Sequence, residues 1–372
     1  MSSRERCVAA VNLEEPDRVP CFELGVNLAT IEGILGRPTV SAPLGCMTTE
    51  QLKTLARDTV EAYAVAGFDM VPASAGLPEN YREGFIPERV TSARWIDEFG
   101  RIWEDRRGVT GLSWYIGGTI KSSSDLKKIR DLDPEDLGRT ALARETVKCA
   151  REREMAVAGY VDGPFLTAYM TTGLPEFLVK LYRDRQFALE LLELLTRFNC
   201  VQARKLTELG VDMVIIGEDM ADTRGPLINP KDFRNITFPF LMREIEEVRR
   251  AGTKVIVHSD GNTMPIFDDI VGLGIDGYQA IEPDAGMDIA VLKERYGNRL
   301  CLLGNVDCGI TLCYGSREQV EAEAKRIIDS AAGGGGLILG SSNSIHDGVK
   351  LENLLTMTKT AAEYGRYPRV NG

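Results

Sequence analysis

The chain has 372 residues, 44% of them hydrophobic, and 55 acidic against 44 basic side chains leave a formal net charge of −11. An excess of that sign excludes a nucleic-acid binder, which needs a basic face to neutralise phosphates, and offers nothing to an anionic membrane surface. No window holds the roughly 18 uncharged apolar residues of a membrane-spanning helix, and the start, Met1-Ser-Ser-Arg-Glu-Arg, leads into an amphipathic stretch rather than the apolar run of a signal peptide. The eight cysteines, Cys7, Cys21, Cys46, Cys149, Cys200, Cys301, Cys308 and Cys313, form no CxxC pair and read as reduced, mostly buried thiols of a cytoplasmic protein. Cys308 and Cys313 are close in sequence, but without a paired cluster they do not read as a metal site.

One pattern repeats along the chain: a short β-rich apolar run, a turn, then an amphipathic helical stretch. The predicted strands are Val19–Leu24, Asp69–Ala75, Ala156–Asp162, Met213–Glu218, Lys254–His258, Gly277–Glu282, Arg299–Asn305 and Gly336–Ser341. Runs such as VIVH, VIIGE, CLLGN and LILGS are nearly continuous in apolar residues, as strands buried on both faces should be. Between them, Asn229 followed by Pro230 predicts a helix start, and Ser316-Arg-Glu-Gln319 predicts a capping box. Gly252, Gly274 and Gly297 follow helical stretches and suit left-handed helix ends. Gly333–Gly336 precedes the last strand and lacks a following GK[ST], so it reads as a helix-to-strand turn and not as a phosphate loop. Strands alternating with helices imply a parallel sheet, and eight strands over this length favour a closed (β/α)8 TIM barrel of the α/β class over an open sheet. Residues 1–372 are read as one such domain. Residues 76–150 interrupt the repeat as an insertion after the second strand, with a hairpin predicted over ARWIDEFGRIWEDRR that either covers the barrel mouth or decorates the surface.

In a parallel barrel, chemistry sits at the carboxyl ends of the strands. Those positions carry Glu23, Asp69, Asp162, Glu218, Asp219, His258, Asp260, Glu282, Asn305, Asp307, Ser341, Ser342 and Asn343. Any one acid there can cap a turn. So many converging call for a cation or shared protons. Of the two histidines, His258 ends the run KVIVH and stands two residues before Asp260, a spacing that could turn both groups toward one ion, whereas His346 lies in the loop after the last strand.

The stretches AGYVDGPFLTAYMTTG, EDMADTRGPLINPKDFRNITFPF, VIVHSDGNTMPIFDDIVGLGIDGYQAIEPDAGMDI, LLGNVD and ILGSSNSIHDGVKLENLLTM resemble the uroporphyrinogen decarboxylase superfamily, and within it the branch of cobalamin-dependent methyltransferases. The resemblance covers most of residues 155–365 and is looser before them. Two departures bear on function. The arginine-rich amino-terminal motif with which decarboxylases clamp substrate carboxylates is here VPCFELGVNLATIEG, with no arginine beyond Arg18, and their carboxy-terminal His-Gly pair is replaced around Ser342 and Asn343. Thiol-methylating members, such as the coenzyme M methyltransferases, hold zinc by His-x-Cys and a later Cys; here these read His258-Ser259-Asp260 and Ser341-Ser342-Asn343, so both sulfur ligands are gone.

The resemblance therefore implies a corrinoid-dependent methyltransferase whose harder site suits an oxygen substrate: an O-demethylase that moves a methyl group from a small donor, a methoxylated aromatic, to cob(I)alamin on a separate corrinoid protein. His258, Asp260 and Glu218 are its expected catalytic groups and the expected ligands of a divalent metal, zinc first. Glu282, Asn305, Asp162, Ser342 and Asn343 are expected to line the donor pocket. The chain carries no corrinoid-binding motif, so the cobalamin must arrive with its partner protein, and a homodimer is left open. The alternatives are transfer from a methyl-corrinoid to a thiol or pterin, a decarboxylase, and a non-catalytic barrel that only binds a corrinoid protein.

Overall fold

In the computed structural model the described residues are 1–40, 47–75, 88–91, 93–105 and 113–368. Cys46 and the parts of the predicted insertion at 76–87, 92 and 106–112 lie outside them.

Seven parallel strands are hydrogen-bonded in sequence order: β2 (Met70–Ser74), β3 (Ala156–Asp162), β4 (Met213–Gly217), β5 (Lys254–His258), β6 (Gly277–Ile281), β7 (Cys301–Val306) and β8 (Leu337–Ser341). The first predicted strand shrinks to β1, residues 20–22, and it is this short piece that closes the ring. Cys21 bridges Leu339 of β8 and Phe22 bridges Met70 of β2, both parallel. The Phe22 N–H donates to the Leu339 carbonyl at 2.9 Å and the Asp69 N–H to the Cys21 carbonyl at 2.8 Å. The fold is thus the (β/α)8 barrel expected from the alternation of strands and helices.

Side chains alternate across the barrel wall. Phe22, Met70, Ala156, Ala158, Met213, Ile215, Ile256, Cys301, Leu303 and Ile338 fill the interior, while Val71, Val157, Val214, Ile216, Val255, Val257, Leu302 and Leu339 face the surrounding helices. The helix Ser3–Val11 plugs the amino end, adding Cys7, Ala10 and Val11 to the interior cluster. Asp69 belongs to this end. Its carboxylate accepts from Arg6, Arg18, Ser3 and the Cys21 N–H, so it braces the plug and is no part of the mouth where the strand-end reading had placed it.

Asn229 caps the turn that opens at Pro230, and Ser316 and Gln319 form the expected capping box. Gly252 and Gly274 adopt positive φ (75° and 80°), but Gly297 ends its helix at φ −64°, because the chain there continues in a right-handed turn. The predicted hairpin pairs Arg94–Ile96 with Arg101–Asp105, and Glu88–Arg89 and Ser113–Gly118 extend it to a four-stranded antiparallel sheet. Arg101 ties that sheet to the barrel: its guanidinium pairs with Asp97 at 2.6 Å and with Asp162, at the carboxyl end of β3, at 3.0 Å.

Closure depends on two small details. A Cβ on Gly340 would stand 2.2 Å from the Phe22 carbonyl oxygen, so only glycine lets β8 reach β1. Just above, buried Glu23 accepts from the Ser341 N–H at 2.5 Å and from the Ser341 hydroxyl at 2.8 Å. Gly340→Ala should therefore cost about 1–3 kcal/mol in urea unfolding by forcing the seam apart, while Gly272→Ala, which meets open space, should be neutral or slightly stabilising. Burial drives the Glu23 carboxyl from 4.5 up to about 8, against the opposing Ser341 hydrogen bonds. A raised carboxyl stabilises the folded state below the unfolded value, and that contribution is lost as pH rises through the folded one. Stability should thus fall between about pH 4.5 and 8, and Glu23→Gln should flatten that slope; an unchanged slope would show that the seam does not hold a proton.

Candidate active site

The ladder fixes one row across the mouth. Asp162 pairs with Gly217, Gly217 with His258, and His258 with Gln279, so four consecutive strands present these residues at one level, about 4.8 Å apart. By the two-residue period His258 faces the axis, because Ile256 does. Gly217 leaves room for its neighbour: a Cβ there would lie 2.2 Å from the Tyr160 hydroxyl oxygen, so the phenol crosses into the space a side chain would take.

His258 is buried and held at both ring nitrogens. Nδ1 makes a short hydrogen bond to Gln279 Oε1, and Nε2 stands 3.3 Å from Asp219 Oδ1. That second contact is ionic and not an aligned hydrogen bond, since Oδ1 is buried with no hydrogen-bond partner. Asp219 itself sits at φ 41°, a left-handed conformation uncommon outside glycine, of the kind that clusters at functional sites. Burial pulls the His258 pKa down, but Asp219, then Asp260 and Gln279, more than offset it, and the imidazole ends above its ordinary 6.5. Asp260 moves the same way for a different reason. Burial and the Asp219 charge raise its carboxyl to about 6, while His258 and the Asn343 amide, which donates to Oδ2 at 2.7 Å, oppose the rise.

Other expected site residues go to structural work. Glu218 turns away from the mouth, and its Oε2 accepts the N–H groups of Phe165 and Leu166, at 2.9 and 3.1 Å, at the start of the helix Pro164–Thr172. A helix amino end offers unpaired N–H donors to a carboxylate, and burial raises this one well above its usual range. Glu282 accepts from the Gly261 N–H at 2.8 Å, and Asn305 donates to the Ile281 carbonyl at 2.8 Å, so both brace loops at the rim. Ser342 accepts from the Cys308 N–H and donates to the Cys308 thiol, Asp307 caps its own turn, and His346 braces the Cys308 loop through Nε2. Of the expected residues, Asp162, Asp260 and Asn343 stand with His258 at the mouth.

The expected ligand set His258, Asp260 and Glu218 is not assembled. Glu218 is spent on the helix, Asp260 on Asn343, and both nitrogens of His258 have partners. Among the described residues no group of three or more His, Cys, Asp and Glu side chains is placed to hold a metal ion. Zinc held as the resemblance implied therefore does not fit these side chains, and no step below is routed through it.

Three contributors escaped the sequence reading. Gln279 is a lone polar residue in the apolar run GYQAI, a signal that was there to be read. Asp219 appeared only as one strand-end acid among many. Arg101 was hidden in the insertion, and among the described residues it is the one arginine paired with a mouth carboxylate. Among the described residues, no helix is long and apolar enough to cross a membrane.

Comparison with known proteins bears on the family and the fold. The family model for uroporphyrinogen decarboxylase (URO-D) matches residues 114–364, well over half of the chain. The methylcobamide:CoM methyltransferase MtbA of Methanosarcina acetivorans is 23% identical over 366 residues, 97% of this chain and 98% of that protein. MtbA of Methanosarcina mazei is 26% identical over 221 residues, covering 59% of this chain and 63% of that relative, a little under two thirds of its length. A uroporphyrinogen decarboxylase of Trichodesmium erythraeum is 25% identical over 262 residues, 67% of this chain and 70% of that protein. Among solved structures, a methyltransferase from Methanosarcina mazei superposes with a TM-score of 0.72 at 20% identity, over 98% of this chain and 99% of that one, the same fold. The chain belongs to the uroporphyrinogen decarboxylase (URO-D) family.

Proposed function

We propose that this chain is a corrinoid-dependent methyltransferase that demethylates a small methoxylated aromatic donor at the barrel mouth and passes the methyl group to a corrinoid carried by a partner protein. The observation that carries the reading is His258, the one histidine at the mouth, buried, facing the barrel axis and held beside Asp219 and Asp260, which raise its pKa against burial. Relatives named for methylcobamide chemistry supply the reaction class. The bound corrinoid supplies a strongly nucleophilic reduced centre. What the chain itself must supply is help for a poor leaving group: a phenolate departs from methyl only reluctantly, and a donor aimed at that oxygen stabilises the charge that develops there. His258 takes this part. Asp260 and Asn343 border the donor, Asp162 with Arg101 forms the wall under the antiparallel sheet, and the apolar interior below excludes water.

Transfer in the other direction, from a methyl-corrinoid to a thiol, is the second reading, favoured by the relatives named methylcobamide:CoM methyltransferase. The residues argue against it, because no thiolate ligand stands at Asp260 or at positions 341–343 to activate an incoming thiol.

A screen separates the readings. The purified chain, a reduced corrinoid protein and donors of three kinds, methoxyaromatics, methylamines and methylthiols, should give methyl transfer with methoxyaromatics; transfer only to or from thiols would favour the second reading. His258→Ala should lower demethylation at least ~100-fold, the scale of one lost proton donor, while its unfolding midpoint moves little, since the ring ends a strand at the mouth. A loss of several kcal/mol in stability with full turnover in the folded fraction would make His258 a structural hydrogen-bonder instead.

A further inference from the structure

We propose that the Tyr160 ring, seated in the space that Gly217 leaves empty, is the platform on which the donor's aromatic ring lies, and that Tyr160 and Gly217 together make this mouth prefer a flat ring to an aliphatic methyl ether. The inference rests on reading the mouth as the place of methyl transfer, and it deepens that reading by naming what selects the donor.

The ladder stacks two layers of inward-facing positions at the mouth. One layer below the row of Asp162, Gly217, His258 and Gln279 lies a second, in which Tyr160 pairs with Ile215, Ile215 with Ile256 and Ile256 with Gly277. Ile215 and Ile256 belong to the apolar interior, and Tyr160 packs against the same cluster. Its phenol does not stay at that level. An ideal Cβ on Gly217 would lie 2.2 Å from the Tyr160 hydroxyl oxygen, 2.9 Å from Cζ and 3.0 Å from Cε2. The far edge of the ring has therefore climbed from β3 into the empty slot of β4, in the row above, between Asp162 on one neighbouring strand and His258 on the other. The hydroxyl donates to Asp162, which Arg101 holds in turn at 3.0 Å. The ring is thus fixed at its tip by a hydrogen bond and along its edge by a missing side chain, and it is half-buried, so part of its surface is open.

Such a ring suits one kind of ligand. An aromatic side chain attracts a second ring, offset or edge to face, by about 2–10-fold in affinity beyond what buried area supplies. A saturated ring offers no such partner. A phenol already pinned at its tip and edge also loses little freedom when the donor arrives. The platform stands beside His258 in the same row, so a ring lying on it can set its methoxy oxygen next to the imidazole, while Ile215 and Ile256 close the floor beneath. Gly217 acts only through Tyr160, because any side chain there would displace the phenol.

Binding tests this without turnover. The purified chain is titrated with 2-methoxyphenol and with its saturated counterpart 2-methoxycyclohexanol, by calorimetry or ligand-observed NMR. The unsubstituted chain should bind the flat ring about 10-fold more tightly. Tyr160→Leu, which keeps apolar bulk without the aromatic face, should erase that preference by weakening 2-methoxyphenol. With a reduced corrinoid protein present, the same variant should raise KM for 2-methoxyphenol and leave kcat little changed, the sign of lost ground-state binding. Tyr160→Phe keeps the ring and should keep most of the preference. Gly217→Ala should reproduce Tyr160→Leu, and the two substitutions combined should cost little more than either alone, because both remove the same platform. Should Gly217→Ala fail to fold, the two Tyr160 variants, which add no bulk, still decide. A preference that survives Tyr160→Leu in folded protein, or an unsubstituted chain that binds both compounds alike or neither, would overturn the proposal. The titrations need no corrinoid, so a ring preference in a protein that transfers no methyl group would sink the methyltransferase reading separately.

Discussion

The parallel ladder from β3 to β6 is the constraint on which the mouth depends. Once Ile256 faces the barrel axis, a period of two leaves His258 no other direction, and the pairing of β5 with β4 and β6 decides who stands beside it. On one side is Gly217, whose missing side chain admits the Tyr160 phenol. On the other is Gln279, which seizes Nδ1. The next residue but one after Gly217, Asp219, closes on Nε2 from above the ladder. The row at the mouth is therefore set by strand register, and the loop residues Asp219, Asp260 and Asn343 complete it from above.

The electrostatics follow from that placement. An imidazole taken out of water resists its charge, yet here the neighbouring carboxylates outweigh burial, and the ring is held above its ordinary pKa. The cost falls partly on the acids. Asp260 is pushed up to about 6 by burial and by Asp219. Asp162 pairs with Arg101, and Glu218 is withdrawn altogether onto the helix that follows β3. Acids that look equivalent in the sequence as strand-end residues thus divide by partner: Asp260 on Asn343, Asp219 beside His258, Asp162 on Arg101 and Glu218 on a helix end.

What the sequence revealed, and what it did not, divides along the same physical line. β3 and β5 are found to the residue, because buried parallel strands are apolar throughout and their ends are sharp. β1 is overestimated, because the run Val19–Leu24 carries the composition of a strand while its length is set by the gap between β8 and β2. Gly297 is misjudged because a glycine at a helix end is permitted, and not obliged, to turn left-handed. At the site, His258 is legible from its position after KVIVH. The ligand set drawn around it is not, since nothing in the string of letters says that Glu218 will meet the free N–H groups of Phe165 and Leu166. The partner that matters most, Gln279, is a polar residue where a buried strand should have none, and such an exception deserves the weight that the more conspicuous acids received.

The most direct test of the account is the dependence of the demethylation rate on the acidity of the departing phenol, followed over a series of ring-substituted methoxybenzenes. If His258 delivers a proton as the methyl–oxygen bond breaks, the unsubstituted chain should be nearly indifferent to phenol acidity, and His258→Ala should fall off steeply with the least acidic phenols and least with the most acidic. Parallel slopes in the two proteins would mean that His258 contributes nothing at the departing oxygen, and the central claim would be wrong.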